Sequence, residues 1–549
     1  MRNRSLWLLA GLVLVASLVI GPGATAGTER ASAGTVVFIH DQEPPNLQGP
    51  WVGNNLYATS LVLNNIWYGC QIRNAVAQFV PRLCTAKPQI VRRTPLTIRF
   101  TYKPDAEWSD GKEVTAADFR ATWQVFINPQ FNVISRTGWE DIASVGGGNG
   151  KTVTVAFKAG KTYADWESLV SSGPYPAHII AGKNMNEMFL NSVPVSSGPW
   201  LFDSWNKGQS ITVRKNPRFK ASIAPPMKLD RVVFRYILDT NARFQSLKAN
   251  EGQVMEPQPQ LQIADFMKDN KFVVNRKVGY TYEHIDFQFG PKGHPALKQP
   301  YIRRALITGM NRSQVASSLY KDIAPGLPSL QSLIFKPFET GKYRTNFATH
   351  RFNQQAVISL LRARGCTGGP SRPTPNNNDI FSCPRVGKLS FRFHTTTGNQ
   401  LRALTFEIIQ RQLKSVGIEL VPRFQTGGVM FGTTLPSRDW DLMLFAWVAS
   451  PTSPITIHDI YGCGGDQNDG AYCNQALTKV LKKVSVTLDA DERTRLLNEA
   501  EAKYMVKDIP SIPMFARPVY VIRSNRVKGP VVNPTQEGSP WNANQWSIG

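Results

Sequence analysis

The chain has 549 residues, of which 42% are hydrophobic and 19% charged. These proportions describe a globular protein and exclude a disordered one, and the length is too great for one core, so several lobes are expected. The 63 Lys and Arg against 39 Asp and Glu give a formal net charge of +24. For an exported chain that charge points first to anionic envelope polymers or lipid headgroups and second to nucleic acid. The basic residues are scattered, with no dense block and no aromatic-basic string. A solvated basic surface is therefore preferred, and no nucleic-acid partner is expected.

Arg2 and Arg4 precede the apolar run 6–20, and Gly-Pro-Gly leads into Ala24-Thr25-Ala26, so residues 1–26 read as a secretory signal peptide. The run falls short of the about 20 residues that span a bilayer, which argues against its rival, an uncleaved anchor. Ala31-Ser32-Ala33 is a second cleavage site and leaves the cut position open. No other run is apolar and long enough to cross a membrane, so the remainder is expected to be soluble. The six cysteines fall as close pairs, Cys70 with Cys84, Cys366 with Cys383 and Cys463 with Cys473. Of the many pairings possible, short loop closure favours these three local disulfides. Zinc is the rival use of such pairs, but there is no CxxC and no histidine at ligand spacing, so neither a metal nor another cofactor is expected.

From residue 34 the chain opens with an apolar strand, 35–39, and a Pro-rich turn, 41–45. Leu96, Ile98, Phe100 and Tyr102 alternate as in a half-buried strand. Residues 107–126 then pack a turn, a helix start and a helix face into one stretch. Asp110-Gly111 is a turn dipeptide whose glycine tolerates positive φ. Thr115 caps a helix, Asp118 supplies the acidic partner of a capping box, and Phe119, Trp123, Phe126 and Ile127 recur at helical spacing. Residues 146–152 end in Gly-Lys-Thr like a phosphate loop, but Val145 stands where that motif needs glycine and a strand, 152–157, follows where it needs a helix. Asn149-Gly150 is instead a hairpin tip. Farther on, two alternating strands flank 206–208, a third strand occupies 232–238 and a short helix 240–248. The alternating run 280–289 suits a strand crossing between lobes. Pro300 and Tyr301 start a helix and Asn311 caps the next. Strand 388–394, helix 401–416 and strand 418–423 alternate in a βα sense, 441–447 is a strand, 489–506 is the last long helix, and 510–521 carries the chain back.

The string Trp108-Ser109-Asp110-Gly111-Lys112, then Val114-Thr115-Ala116-Ala117-Asp118-Phe119, resembles the signature of the bacterial extracellular solute-binding proteins of family 5. These are the oligopeptide-, dipeptide- and nickel-binding proteins that feed ABC importers. The resemblance continues at 197–217, 301–315, 403–420 and 445–454. It implies an α/β, periplasmic-binding-protein-like fold (type II, Venus-flytrap), in which two α/β lobes are joined by hinge strands and a further lobe is inserted. On that pattern 34–65, 197–282 and 509–549 form lobe I, 66–196 lobe II and 283–508 lobe III. The resemblance further implies a monomer that captures a peptide or peptide-like small solute and delivers it to membrane permease subunits. It would work in the periplasm or at the extracellular face of the cytoplasmic membrane. Many relatives are tethered through a cysteine just after the signal, whereas the first cysteine here is Cys70.

The same resemblance implies ligand-binding positions. Gly53, Asn54 and Asn55 follow the loop after the first strand, a stretch whose bland alternative is a surface loop. Ala446, Trp447 and Val448 match positions whose main chain pairs with an extended peptide by β-augmentation; for Trp447 the alternative is core packing. Peptide-binding members carry an aspartate in this second loop for the peptide's α-ammonium. The corresponding residue is Ser450, whose uncharged hydroxyl cannot supply that charge-assisted bond, and a basic residue some members use two positions before Ala446 is Leu444. Asp466 and Asp469 in the neighbouring Gly-rich loop are the candidates to compensate. No catalytic residue is expected, since neither a G-x-S-x-G elbow nor an HExxH string occurs. A secreted hydrolase and a basic envelope- or nucleic-acid-binding protein are the alternative functions.

Overall fold

The computed structural model describes residues 34–52, 54, 56–448 and 454–549. The signal segment 1–26 and the predicted site residues Gly53, Asn55 and Ser450 lie outside the described residues. The first strand, β1 (Thr35–His40), is buried along its whole length because strands flank it and apolar cores cover its two faces, Val36 and Phe38 on one and Ile39 on the other, and it is followed by helix α1 (Tyr57–Ile66). A small antiparallel sheet comes next, built from β2 (Gln89–Arg93), β3 (Leu96–Thr101), β4 (Ile142–Gly146) and β5 (Thr152–Phe157) in the order β2-β3-β5-β4. Between β3 and β4 the chain makes α2 (Ala116–Ile127), whose start is the capping box expected from sequence. Thr115 N–H donates to Asp118 Oδ2 at 2.8 Å, and the Thr115 hydroxyl accepts from Ala117 N–H at 3.3 Å. Gly111 in the preceding turn has φ +89°, a conformation only glycine adopts without strain. The buried face of α2 meets the sheet through Phe119 and Phe126, the latter stacked on Trp139 at 4.5 Å, and this unit has its own apolar core.

The chain then returns through β6 (Trp200–Asn206), β7 (Ser210–Lys215) and β8 (Arg231–Tyr236), helix α3 (Thr240–Lys248) and short β9 (Val254–Met255). A 16-residue strand, β10 (Phe272–Phe287), leads into helices α4 (Pro300–Gly309), α5 (Arg312–Tyr320) and α6 (Gln354–Ala363). Next come β11 (Ser390–Thr396), α7 (Gln400–Lys414), β12 (Glu419–Gln425), β13 (Leu442–Trp447), α8 (Pro454–Tyr461), α9 (Gln475–Val486) and α10 (Ala490–Ala500). A π turn, Glu501–Met505, follows α10 directly, and the 14-residue strand β14 (Ser511–Ser524) closes the main sheet. The three disulfides join Cys70 to Cys84, Cys366 to Cys383 and Cys463 to Cys473, the sequential pairing.

Ten strands form one sheet in the order β12-β11-β13-β10-β14-β9-β1-β8-β7-β6. Its two ends meet only through the antiparallel pair β10 and β14, which runs from Phe272 beside Ser524 to Asp286 beside Ser511. The register of this pair shifts between Val278 and Tyr282 and again between Glu283 and His284. A side chain at Gly279, inside the first shift, would meet Pro534 Cβ and Val519 Cγ2 at 3.1 Å, so the close approach there favours glycine. Such bulges sharpen local twist and let the two halves of a sheet diverge. The crossing strand thus begins at Phe272, earlier than the 280–289 run suggested. Asn275, Arg276 and Lys277 break the hydrophobic alternation, and two of them are satisfied far away in sequence, Arg276 on Ile323 O and Lys277 on Ala75 O, both at 2.7 Å. Phe244, Leu247, Ile263 and Phe266 join the same buried cluster as residues of β11, α7 and α10, so the largest core continues across the long strands.

A buried ionic network crosses that pair. Glu283 on β10 accepts from Arg402 of α7 at 3.0 Å and from Arg517 of β14 at 3.3 Å. Arg517 also donates to Gln258 Oε1 at 3.0 Å, and the Gln258 amide donates to Asp41 Oδ2. Burial pushes the Glu283 carboxyl up, but Arg402 and Arg517 outweigh it and hold the group below its ordinary range. Replacing it by Glu283→Gln leaves two guanidiniums without their counter-ion. The expected loss is about 3–5 kcal/mol, read as a lower denaturant midpoint. Because the folded carboxyl is lowered, its stabilisation is present above the unfolded value near about 4.3 and is lost as pH falls through the folded one. The gap between wild type and variant should therefore be constant near neutrality and shrink in acid below about pH 4. Thr115→Ala, which removes one capping hydroxyl, should cost about 1 kcal/mol by the same measurement.

Candidate functional site

A cavity of about 800 Å³ lies where the halves of the large sheet and the small-sheet unit meet. Its floor is the bulged middle of the hinge pair, Tyr280, Thr281 and Tyr282 on β10 with Arg517, Pro518 and Val519 on β14. One wall comes from α1 and the segment 68–73, and the opposite wall from the end of β13 and the turn 396–399.

The β13 wall has an open main-chain edge. On one side β13 pairs with β10 as far as Trp447 opposite Tyr282. On the other, the ladder with β11 stops at Met443 beside His394, and Thr395 Oγ1 donates to the carbonyl of Leu444 at 2.9 Å. Among the described residues no strand lies beyond that point, and Ala446, Trp447 and Val448 all line the cavity. The Val448 carbonyl accepts from Gln536 Nε2 at 3.1 Å, which ties the end of the wall to the returning C-terminal segment. Trp447 is half-buried and lies near-parallel to the fully buried His284 ring at 6.1 Å, with Phe445 edge-on at 5.3 Å. Its Nε1 has no hydrogen-bond partner among the described residues. Core packing and cavity lining are thus both roles of this one side chain.

Asn54, also on the cavity, is employed differently. Its Nδ2 donates to Asn46 and Gly49 and its Oδ1 accepts from Thr59 Oγ1 at 2.8 Å, so the side chain staples its own loop. The predicted positions Asn54, Ala446, Trp447 and Val448 therefore share one cavity, and the last three lie on the end of β13 beyond its ladder with β11.

The charged lining was not foreseen beyond Asp466 and Asp469. Arg73 lies 3.8 Å from the Phe79 ring and donates to Ser168; the buried Arg82 lies over Tyr68 and Trp541 with its Nε unpartnered among the described residues. Arg243 spends two bonds of 2.8 Å on the carbonyls of Ile237 and Leu238. Glu537 accepts the Arg73 main-chain N–H at 3.2 Å, and burial raises its carboxyl. Lys336 enters from the loop between α5 and α6. These residues come from segments hundreds of positions apart, and no periodicity or motif marks them. The Asp466 and Asp469 loop is closed by the Cys463 disulfide to Cys473 and pinned to the end of β10 by Gln288 Nε2 on Asp469 O at 2.9 Å and Phe289 N–H on Gly470 O at 2.7 Å. Burial pushes the Asp469 carboxyl up to about 6, with Arg438 opposing and Asp286 adding to the shift. No cluster of His, Cys, Asp and Glu that could hold a metal ion occurs among the described residues, and no helix of theirs is long and apolar enough to cross a membrane.

Comparison with known proteins matches residues 78–469 to the model of the bacterial extracellular solute-binding proteins, family 5. The oligopeptide-binding protein OppA of Mycobacterium tuberculosis (strain H37Rv) is 23% identical over 537 residues, covering 90% of this chain and 86% of its own. Among solved structures, the oligopeptide-binding protein AppA from Bacillus subtilis in complex with a nonapeptide superposes with a TM-score of 0.82 at 20% identity, over 94% of this chain and 99% of that one. A periplasmic EDTA-binding protein, EppA, gives 0.81 at 18% identity over 94% and 96%. At these identities the structural likeness is one of fold, the type II periplasmic-binding-protein fold. The family match covers most of the chain on its own, and the protein belongs to the bacterial extracellular solute-binding proteins of family 5.

Proposed function

We propose that this protein captures a peptide or peptide-like small solute in the interlobe cavity and hands it, chemically unchanged, to the permease subunits of an ABC importer. The observation that carries this reading is the open edge at Ala446, Trp447 and Val448 on a cavity of about 800 Å³. Main-chain N–H and C=O groups bind the backbone of an extended ligand whatever its side chains, and hinge-strand flexing closes the lobes on it. The names of the relatives agree: OppA is an oligopeptide-binding protein, and AppA was solved with a nonapeptide. EppA, an EDTA-binding protein of the same fold, widens the solute class to polycarboxylates. A free α-ammonium is assigned to Asp469, a residue of the cavity lining whose carboxylate makes no salt bridge among the described residues. Transport proteins of this family perform no chemical step. The signal segment supports export to the periplasm or the extracellular face, and the protein acts as a monomer.

The test is titration of the intrinsic fluorescence of the 13 tryptophans with tetraalanine, expected to saturate at one site per chain. Trp447→Ala should abolish that binding while circular dichroism and melting stay native; unchanged affinity in the folded variant removes Trp447 from the site. Asp469→Asn should weaken tetraalanine by about 10- to 100-fold, the worth of a charge-assisted hydrogen bond of about 1.5–3 kcal/mol. It should leave N-acetyl-tetraalanine unaffected.

A further inference from the structure

Residues 345–387 hold five arginines, Arg351, Arg362, Arg364, Arg372 and Arg385, no lysine, and a single acid, Asp379. The chain as a whole sets 63 basic side chains against 39 acidic ones, so a surface that only kept the protein in solution would mix the two signs far more evenly here. All five arginines are exposed. They are too widely spaced to form a block in the sequence, and the fold gathers them.

The gathering is done by helix α6 and the disulfide loop that follows it. Arg362 is in the last turn of α6 and Arg364 is its C-cap. The disulfide from Cys366 to Cys383 and the bridge between Thr367 and Ser382 bring the far end of the loop back beside them, so that a Cβ on Gly365 would lie 3.5 Å from Pro384 Cγ, next to Arg385. The middle of the loop is drawn onto α6 by Arg362 Nη2, which donates to Pro370 O at 3.2 Å, and by Gln355 Nε2, which donates to Ser371 O at 3.5 Å, and this seats Arg372 beside the helix. Helix α4 adjoins through Asn353 N–H on Thr308 O at 2.9 Å, and Arg364 lies over the Tyr301 ring at 5.4 Å. The exposed Arg304 of α4 reaches the same side. His350, next to Arg351, is held below its ordinary range by burial first, with the charges of Arg312 and Arg304 adding to the shift.

Arg362 and Arg364 are thus partly employed by the fold. The side chains of Arg304, Arg351, Arg372 and Arg385 make no hydrogen bond or ion pair among the described residues. Beside the loop, Glu419 is already taken by Lys388 at 3.6 Å and by Ser390 Oγ at 2.5 Å. Phe352, adjacent to Arg351, is 43% exposed, an aromatic ring standing in water on a cationic surface. None of these residues lines the cavity.

We propose that this face docks on a bilayer bearing anionic phospholipid headgroups, with its arginines on the phosphates and Phe352 in the headgroup layer. A guanidinium is planar, weakly hydrated and able to grip two phosphate oxygens at once, which an ammonium is not, and the exclusive use of arginine fits that partner. Phe352 decides between a bilayer and a soluble polyanion, because a ring gains by leaving water for the headgroup layer and gains nothing from a phosphodiester chain. Docking here leaves the cavity lining untouched.

Cosedimentation with vesicles of phosphatidylcholine, and of phosphatidylcholine mixed with phosphatidylglycerol, provides the test. Wild type should bind the mixed vesicles and not the neutral ones, and more weakly as salt rises. The triple variant Arg351→Gln, Arg372→Gln, Arg385→Gln should bind the mixed vesicles about 100-fold more weakly, each arginine at an anionic bilayer being worth roughly fivefold. Phe352→Ser should lose about fivefold. A second triple variant, Lys87→Gln, Arg93→Gln, Arg99→Gln, removes the same charge from exposed positions of the small-sheet unit and should bind as wild type does. All the variants should melt as wild type does. No binding of wild type to the mixed vesicles, equal losses in the two triple variants, or full affinity in Phe352→Ser overturns the proposal, as does retention on soluble polyphosphate without vesicle binding. Should the first triple variant fail to fold, Arg372→Gln alone, expected to lose about fivefold where Arg99→Gln loses nothing, is decisive.

Discussion

The antiparallel pairing of β10 with β14 is the constraint on which the rest depends. Every strand on one end of the large sheet is connected to the other end through these two, and the cavity lies over the break in their register between Val278 and Tyr282. A continuous ladder would hold the halves flush, whereas a shifted one sharpens the local twist beside Gly279, where a Cβ would crowd Pro534 and Val519. The Glu283 network sits at this point because it must satisfy both strands together with α7 and the segment at Gln258. Buried ion pairs add little net stability against an apolar packing of equal volume. Their contribution here is to register: a one-residue slip would turn Glu283 away from Arg402 and expose both charges to an apolar face.

What the sequence made legible was what local chemistry decides. The capping box at Thr115 and Asp118, the turn at Gly111, the hairpin tip at Asn149 and Gly150 and the three disulfides each involve partners within 20 or so positions. The family signature lies in that same stretch and carried the fold class with it. The first half of β10 was missed because Asn275, Arg276 and Lys277 interrupt its alternation, and their partners at Ile323 and Ala75 cannot be seen locally. The π turn at Glu501 was read as plain helix for the same reason, since its carboxylate is fixed by Ser332, Leu333 and Asn346, more than 150 positions away. Of the candidate site, the main-chain edge at Ala446 to Val448 came from family resemblance, while the charged lining came from neither pattern nor motif. Arg82, Arg243 and Lys336 look like any surface cation until the fold buries them.

An open strand edge is ordinarily a liability, because it will pair with any exposed strand. Here it is short, recessed in the cavity, and ended by the Gln536 contact to Val448. A recessed edge is out of reach of another folded chain. Backbone pairing alone, however, sets no direction along the edge, since both orientations of an extended chain offer the same groups. Direction must come from charge at the ends.

The net charge of the protein cannot supply that direction. Its 63 basic side chains lie mostly in water, where their field decays over a Debye length of about 8–10 Å at physiological salt, so they draw anions toward the whole surface without orienting one inside. A charge held in the dry cavity wall is screened far less and acts at contact range. Lys336 and Asp469 differ from the surface charges in this respect, as burial shifts the ammonium of the one down and the carboxyl of the other up.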